Sequence, residues 1–246
     1  MKRRDFIIGS ALLGLAAAAG LPAWGAAPAS FVQQNFATPD GESLAYWLYT
    51  PEDPCPGMPL VVYLHGGSGK GSDLSLLLEA DSLPRFLQQG QLAPAAYIVM
   101  PQLPRDCTSW TDRQTALLAL VDHLVSQHQL DNRRVSLTGH SMGGTGTWAV
   151  ALDHPQRFSA IAPLSGSIRM TREALQSLTS LPVWAVVGAK DTIVPPEASM
   201  RFVDALARVN GDCRCTVLPE ADHFAVPAVY LDQNTGLLDW LTAQTR

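Results

Sequence analysis

Short, continuous apolar runs recur along this chain and are separated by longer segments with helical periodicity. Leu60 to Leu64 and Ala95 to Met100 are two such runs, and each is typical of a strand buried on both faces. The same reasoning predicts core strands at Phe158 to Leu164 and Val183 to Val187 and a last one centred on Thr216 to Leu218, and the alternating pattern of Val135 to Thr138 predicts another. Strands of this kind indicate a mostly parallel sheet that is covered by helices.

Amphipathic segments lie between these runs. The longest, Asp112 to Gln129, places its apolar residues at helical spacing. Other predicted helices are Leu74 to Gln89, which Pro84 interrupts, the segment from Ser141 to about His154, Pro196 to Val209, and Gly236 to Thr245. Strands that alternate with helices favour an α/β fold with an open, doubly wound sheet.

The N-terminal part of the sheet has a different pattern. Phe31 to Thr38 and Leu44 to Tyr49 flank Pro39-Asp40-Gly41-Glu42, whose composition is typical of a turn, so we predict an antiparallel hairpin. With this hairpin the sheet has about eight strands. Only about seventeen residues separate Leu164 from Pro182, which leaves no room for a large lid.

A sharp turn is predicted at Gly139-His140-Ser141-Met142-Gly143, between a strand and a helix. The pattern G-x-S-x-G in this context is a nucleophile elbow, in which a strained serine lifts its hydroxyl above the sheet edge. Glycines two residues before and after the serine let the neighbouring strand and helix approach closely. Ser141 is therefore the candidate nucleophile.

A serine hydroxyl needs a base, and the base needs a carboxylate that orients it. Asp191 follows the strand Val183 to Val187, and His223 follows the strand around Val217. Ligand sites in open α/β sheets lie at these carboxyl ends. Asp222 is the alternative carboxylate, but side chains of adjacent residues point in different directions, so we prefer Asp191.

The order Ser141, Asp191, His223 at three strand ends resembles that of the α/β-hydrolases. This resemblance covers about Phe31 to Trp240 and implies that Ser141 is the nucleophile, His223 the general base and acid, and Asp191 the carboxylate that fixes the imidazole tautomer. It also implies an oxyanion hole made by the amides of Gly67 and Met142. Trp110 is a candidate wall of the acyl or alcohol pocket, with a packed loop tryptophan as the alternative.

Within that superfamily the chain is similar to secreted esterases and predicted peptidases, including relatives of feruloyl esterases and polyhydroxybutyrate depolymerases. The supporting stretches are His65 to Asp73, Met100-Pro101-Gln102 with Trp110, and Pro163 to Gly166. The chain departs from the dienelactone hydrolases, whose nucleophile is cysteine. It also departs from the prolyl oligopeptidases, which carry a propeller domain.

Residues 1–29 have the pattern of an export signal. A basic start with Arg3 and Arg4 precedes an almost unbroken apolar run from Phe6 to Leu21. This run is short for a membrane span and has the length of a signal-peptide core. The paired arginines resemble a twin-arginine signal, so we expect twin-arginine export machinery to deliver the protein to the periplasm or outside a bacterial cell. An uncleaved N-terminal anchor is the alternative.

Composition narrows the classes of partner. Without residues 1–29, which hold three basic residues and one acidic residue, the net charge changes from −5 to −7. Such an acidic chain is a poor candidate for binding nucleic acid. We expect residues 30–246 to form one catalytic domain without a stable membrane span, a metal or another cofactor.

Four cysteines occur in a chain that is expected to fold in an oxidising compartment, so a disulfide is one possibility. Cys213 and Cys215 point to the same face of a predicted strand and are poor partners for each other. A bridge between Cys55 and Cys107, in two predicted loops, is a guess.

These features predict hydrolysis of a small-molecule or polymer-borne carboxylic ester through an acyl-enzyme on Ser141. Hydrolysis of an amide or peptide bond by the same three residues is a second hypothesis. A non-catalytic binding protein on a hydrolase scaffold is a third, and the presence of all three residues and of the glycines argues against it.

Overall fold

The computed structural model describes residues 28–38, 41–80, 82–209 and 211–246. The predicted export signal, residues 1–29, lies outside these ranges except for its last two residues. None of the helices within these ranges is long and apolar enough to cross a membrane.

A central sheet organises the described chain. Its strands are β1 (Ser30–Ala37), β2 (Ser43–Thr50), β3 (Leu60–Leu64), β4 (Tyr97–Pro101), β5 (Val135–His140), β6 (Ala160–Leu164), β7 (Val183–Gly188) and β8 (Cys213–Leu218). They lie in the order β1-β2-β4-β3-β5-β6-β7-β8. β2 pairs antiparallel with both β1 and β4, and every other pair is parallel. The predicted mostly parallel sheet with an N-terminal antiparallel hairpin is confirmed.

Helices cover both faces of this sheet. They are α1 (Leu83–Gln88), α2 (Gln114–Gln127), α3 (Met142–Asp153), α4 (Arg172–Leu178), α5 (Glu197–Arg208) and α6 (Leu237–Ala243). Buried side chains of α2, α3, α4 and α5 pack against one face, and those of α1 and α6 pack against the other. All residues of β3 and β5 are buried. The continuous apolar pattern of β3 predicts this, whereas β5 also buries Ser136, Thr138 and His140.

Two helical segments differ from the prediction. Instead of one interrupted helix from Leu74 to Gln89, the chain forms a 3₁₀ turn at Leu74–Leu78 and then α1. Pro84 lies in the first turn of α1, where its missing N–H costs no hydrogen bond. α4 was not predicted, and it is the helix between β6 and β7, where every residue is described. Its seven residues are too few to form a large lid.

The four cysteines are free thiols. The guessed bridge between Cys55 and Cys107 is wrong, because the two residues lie at opposite ends of the sheet. Cys55 precedes the amino end of β3, whereas Cys107 follows the carboxyl end of β4, which runs parallel to β3. Cys55 is exposed and Cys107 is buried.

Candidate active site

Ser141 lies at the junction of β5 and α3 in a strained conformation, with φ of 59° and ψ of −119°. Positive φ is uncommon for a residue other than glycine and indicates that the surrounding structure imposes it. That structure is tightly packed, because a Cβ atom on Gly143 would overlap the carbonyl oxygen of Leu64. A Cβ on Gly139 would meet the same oxygen at 2.5 Å. The glycines of the motif therefore let α3 and β3 hold the turn.

His223 lies between Ser141 and Asp191. Its Nδ1 donates to Oδ2 of Asp191 over 2.8 Å, and its Nε2 lies 2.8 Å from Oγ of Ser141. The carboxylate can only accept, so the Nδ1 proton is fixed and Nε2 is left to accept the serine proton. The structure thus brings the three predicted residues together from the carboxyl ends of β5, β7 and β8.

Asp191 is held as a carboxylate by several donors. Its Oδ1 accepts from the amides of Ile193 at 3.0 Å and Val194 at 2.8 Å. Burial by itself raises the pKa of Asp191, but the hydrogen bonds from Val194, His223 and Ile193, together with the nearby Ser165 hydroxyl, outweigh it and hold the pKa below its usual range. The side chain therefore stays charged although it is only 1% exposed.

Asp222, the alternative carboxylate, has a different role. Its Oδ1 accepts from the amides of Phe224 and Ala225, each at 3.0 Å. These bonds close the turn that follows His223. Asp222 therefore shapes the loop, and Asp191 contacts the imidazole.

Two further histidines support the site as neutral imidazoles. Burial lowers the pKa of His65 to about 4, and burial together with the nearby His223 lowers the pKa of His140 to about 4. The Nδ1 of His65 donates to the Gly66 carbonyl, and its Nε2 accepts from the amide of Leu103 at 2.9 Å. One donating and one accepting nitrogen require the uncharged ring. These two hydrogen bonds tie the loop of His65 to the segment that follows β4.

The loop that carries Gly67 lies directly against the serine. A Cβ added to Gly66 would be 3.5 Å from Cβ of Ser141, and Gly67 itself lines the adjoining cavity. Gln102 stabilises this loop, because its Nε2 donates to the carbonyl of Gly69 at 2.9 Å. Met142 is the first residue of α3, where amides lack an acceptor within the helix.

A cavity of about 410 Å³ opens beside Ser141. One group of lining residues flanks the triad: Ile193 follows Asp191, while Phe224 and Pro227 follow His223. Phe224 is 71% exposed and Ile193 is 55% exposed, so both lie at the mouth. A second group, which we call the inner group because most of its members are buried or half-buried, comprises Tyr63, Leu76, Leu77, Ser82 and the exposed Ala80.

Trp110 does not line this cavity, so its predicted role as a pocket wall is wrong. The side chain is fully buried, and its Nε1 donates to the carbonyl of His65 over 3.1 Å. The indole packs against Gly146 of α3, where a Cβ would collide with it. Trp110 is the packed loop tryptophan of the alternative interpretation.

Ser165 directly follows the carboxyl end of β6. It adopts φ of 43°, is 1% exposed and lies beside the Asp191 carboxylate, whose pKa its hydroxyl lowers. Ser167 is exposed and its amide donates to Thr145. Ser165 therefore contributes to the site through Asp191.

The cavity also contains residues that were not predicted. Tyr63 is the aromatic residue within the apolar run of β3, two positions before His65, and this position was the available signal. Leu76, Ala80 and Ser82 come from the segment that was predicted as one interrupted helix. Because it forms a 3₁₀ turn and a separate helix instead, the sequence did not show which side chains face the cavity. Within the described ranges, no group of three or more His, Cys, Asp or Glu residues could hold a metal ion.

The fold matches solved α/β-hydrolases. A thermostable esterase is 28% identical, with a TM-score of 0.73 over 88% of this chain and 63% of its own. A ferulic acid esterase has a TM-score of 0.67 over 87% of this chain and 98% of its own, and its 16% identity supports the fold alone. The predicted α/β-hydrolase fold is confirmed.

The sequence profile of the dienelactone hydrolase family matches residues 94–232, which is more than half of the chain. The chain therefore belongs to the dienelactone hydrolase family. The expectation that it departs from this family is wrong. Ser141 at the elbow, in place of cysteine, is a difference within the family.

A Yersinia pestis protein provisionally named carboxymethylenebutenolidase is 32% identical over 148 residues. The match covers 53% of this chain and 55% of that relative. The chain thus spans about half the length of the curated relatives it matches first.

Proposed function

We propose that the protein is a serine hydrolase that cleaves carboxylic esters through an acyl-enzyme on Ser141. The observation that carries this proposal is the position of His223, 2.8 Å from both Ser141 Oγ and Asp191 Oδ2. Relatives named as an esterase and a carboxymethylenebutenolidase support an ester as the substrate.

In the first half of the reaction, Ser141 Oγ attacks the ester carbonyl carbon while its proton passes to Nε2 of His223. The carbonyl oxygen becomes negative and is stabilised by the amides of Gly67 and Met142. Collapse of the tetrahedral intermediate breaks the bond to the alcohol oxygen. His223 returns its proton to that oxygen, so a neutral alcohol leaves and the acyl group stays on Ser141.

Water completes the cycle by the same route. His223 takes a proton from water as the water oxygen attacks the acyl carbon. The bond between that carbon and Ser141 Oγ then breaks, His223 returns the proton to Oγ, and the carboxylic acid leaves. Asp191 stabilises the imidazolium in both halves without taking the proton itself. The open cavity and the short segment between β6 and β7 favour soluble or polymer-borne esters over lipid interfaces.

Hydrolysis of p-nitrophenyl esters, compared with the matching anilides, tests this proposal. We expect turnover of the esters, and a loss of about 10⁴-fold or more in kcat in Ser141→Ala. Ser167→Ala is the matched control, because Ser167 is a nearby exposed serine outside the triad. Faster cleavage of anilides than esters would favour the peptidase hypothesis, and an unchanged rate in Ser141→Ala would exclude this mechanism.

We also propose that the protein is exported by twin-arginine machinery. The paired Arg3 and Arg4 before an apolar run support this. Replacing both with lysine should retain the protein in the cytoplasm. Unchanged delivery to the periplasm, measured by cell fractionation, would contradict the proposal.

A further inference from the structure

The inner group of the cavity is apolar except for two hydroxyls. Leu76, Leu77 and Ala80 supply hydrocarbon surface, whereas Tyr63 and Ser82 are the two residues of the group that carry a hydroxyl. Tyr63 is 2% exposed and Ser82 is 7% exposed. Polar groups placed in a largely apolar pocket fix the orientation of a ligand and decide which ligands bind.

The phenol of Tyr63 stays protonated. Burial raises its pKa to about 12, and the hydroxyl of Ser82 beside it offsets only part of this effect. Buried tyrosine hydroxyls normally have a hydrogen-bond partner. The neighbouring Tyr230, whose ring meets that of Tyr63 edge-on at 6.2 Å, follows this rule through a 2.7 Å bond to Thr138.

The hydroxyls of Tyr63 and Ser82 hydrogen-bond to each other and keep spare capacity beyond that bond. Ser82 donates to the carbonyl of Ala80 over 3.4 Å, which is long for an O–H donor. Each hydroxyl oxygen can accept two hydrogen bonds and donate one. The mutual bond uses one of the two protons, so a group that enters the cavity can accept the other proton in place of the long bond to Ala80, and it can donate to the free lone pairs. A hydroxyl group on that ligand could donate a hydrogen bond to the pair or accept one from it.

The reaction geometry assigns the two parts of the cavity. His223 must reach the alcohol oxygen to protonate it, so the alcohol leaves on the side of His223. Phe224 and Pro227 follow His223 on this side, and the mouth is open there. The acyl group, which stays on Ser141, then occupies the part of the cavity that the inner group lines.

We propose that the inner group binds the acyl part of the ester and that Tyr63 and Ser82 select acyl groups carrying a hydroxyl. This inference rests on the proposed ester hydrolysis at Ser141. The substrate class is then esters of hydroxylated carboxylic acids with a compact, otherwise apolar body. Tyr63 and Ser82 are specificity-determining residues, and they take no part in bond making or breaking.

The test compares methyl esters of straight-chain acids, from propionate to octanoate, with the corresponding ω-hydroxy esters. The quantity measured is the ratio of kcat/KM for the hydroxylated ester to that for the plain ester of equal length. We expect this ratio to peak at one chain length in the wild-type protein. Tyr63→Phe, which keeps the ring, should lower the peak about tenfold, as expected for one neutral hydrogen bond. Ser82→Ala should lower it as well.

Matched controls come from the same core. Tyr49 and Ser136 are buried, their hydroxyls lack a hydrogen-bond partner among the described residues, and neither lines the cavity. Tyr49→Phe and Ser136→Ala should keep the wild-type peak. A ratio that shows no peak, or a peak that Tyr63→Phe leaves intact, would overturn the inference.

Failure of the proposed function has a different signature, since no ester would then be cleaved. In that case, binding of the same ester pairs to the Ser141→Ala protein is measured by calorimetry. Tighter binding of the hydroxylated member, lost in the Ser141→Ala/Tyr63→Phe double variant, would support the subsite without the reaction. Equal binding of the two members would overturn it.

Discussion

The ring of His140 donates from Nε2 to the backbone carbonyl oxygen of His223 over 2.8 Å. His140 is the last residue of β5 and precedes Ser141, so this bond ties the strand of the proposed nucleophile to the loop that carries the proposed base. The two rings also pack with centroids 4.7 Å apart. Ser141 and His223 are therefore positioned by a backbone contact in addition to their side-chain hydrogen bond.

His140→Ala should weaken both stability and catalysis. It leaves the buried carbonyl of His223 without its donor, which costs about 1–3 kcal/mol in the free energy of unfolding. The freed loop should also lower kcat. His140→Gln, whose amide can donate at a similar reach, should recover part of each loss. Urea unfolding and ester kinetics measure the two effects, and equal damage in both variants would contradict this role.

Asp191→Asn should lower kcat by about 10⁴-fold, because an amide in this position no longer fixes the Nδ1 proton of His223. Asp222→Asn is the matched control. Its side-chain oxygen can still accept from Phe224 and Ala225, so activity should stay near that of the wild type. Ester kinetics with both variants decide between the carboxylates, and a larger loss in Asp222→Asn would reverse the assignment.

The free energy of unfolding should fall as the pH drops from about 6.5 to about 4. His65 and His140 each have a pKa of about 4 in the folded protein, against 6.5 ordinarily. In this window the unfolded chain binds more protons than the folded one, so acid favours unfolding. Each histidine contributes roughly 3 kcal/mol to the total change.

Urea titrations across this pH range measure the effect. His65→Gln should flatten the pH dependence, since it removes one of the two buried groups. His123→Gln, which changes an exposed histidine, should leave the dependence as it is in the wild type. An equal slope in all three proteins would show that buried histidines do not cause it.

Trp110→Phe should reduce stability without altering acyl selectivity. The phenyl ring keeps most of the packing against Gly146 but cannot donate to the carbonyl of His65, so we expect a loss of about 1–3 kcal/mol. Urea unfolding measures this loss, and the acyl chain-length profile is recorded alongside. A changed profile would restore Trp110 as a pocket residue.

Much of the fold could be predicted from the sequence because most core strands are short apolar runs and the strand before Ser141 has an alternating β-type pattern. β3 matches its predicted bounds, and β5 extends its predicted strand by only two residues. The candidate triad could be predicted for the same reason, because Ser141, Asp191 and His223 each follow the end of a predicted strand.

The remaining features depend on contacts between distant parts of the chain. Trp110 stands between polar loop residues, and nothing nearby in sequence shows that Gly146 leaves space for its indole. Cys55 and Cys107 lie in two loops, and only the direction of the strands shows that these loops are at opposite ends of the sheet. The contribution of Ser82 to the cavity depends on how the chain turns between the 3₁₀ segment and α1.

Detection of an acyl group on Ser141 tests the central claim most directly. The protein is mixed with p-nitrophenyl acetate, quenched in acid within the turnover time, and analysed by mass spectrometry of intact protein and peptides. We predict one acetyl group on the peptide that contains Ser141, and none in Ser141→Ala. Ester turnover by folded protein with acylation at another residue, or with undiminished rate in Ser141→Ala, would contradict the account.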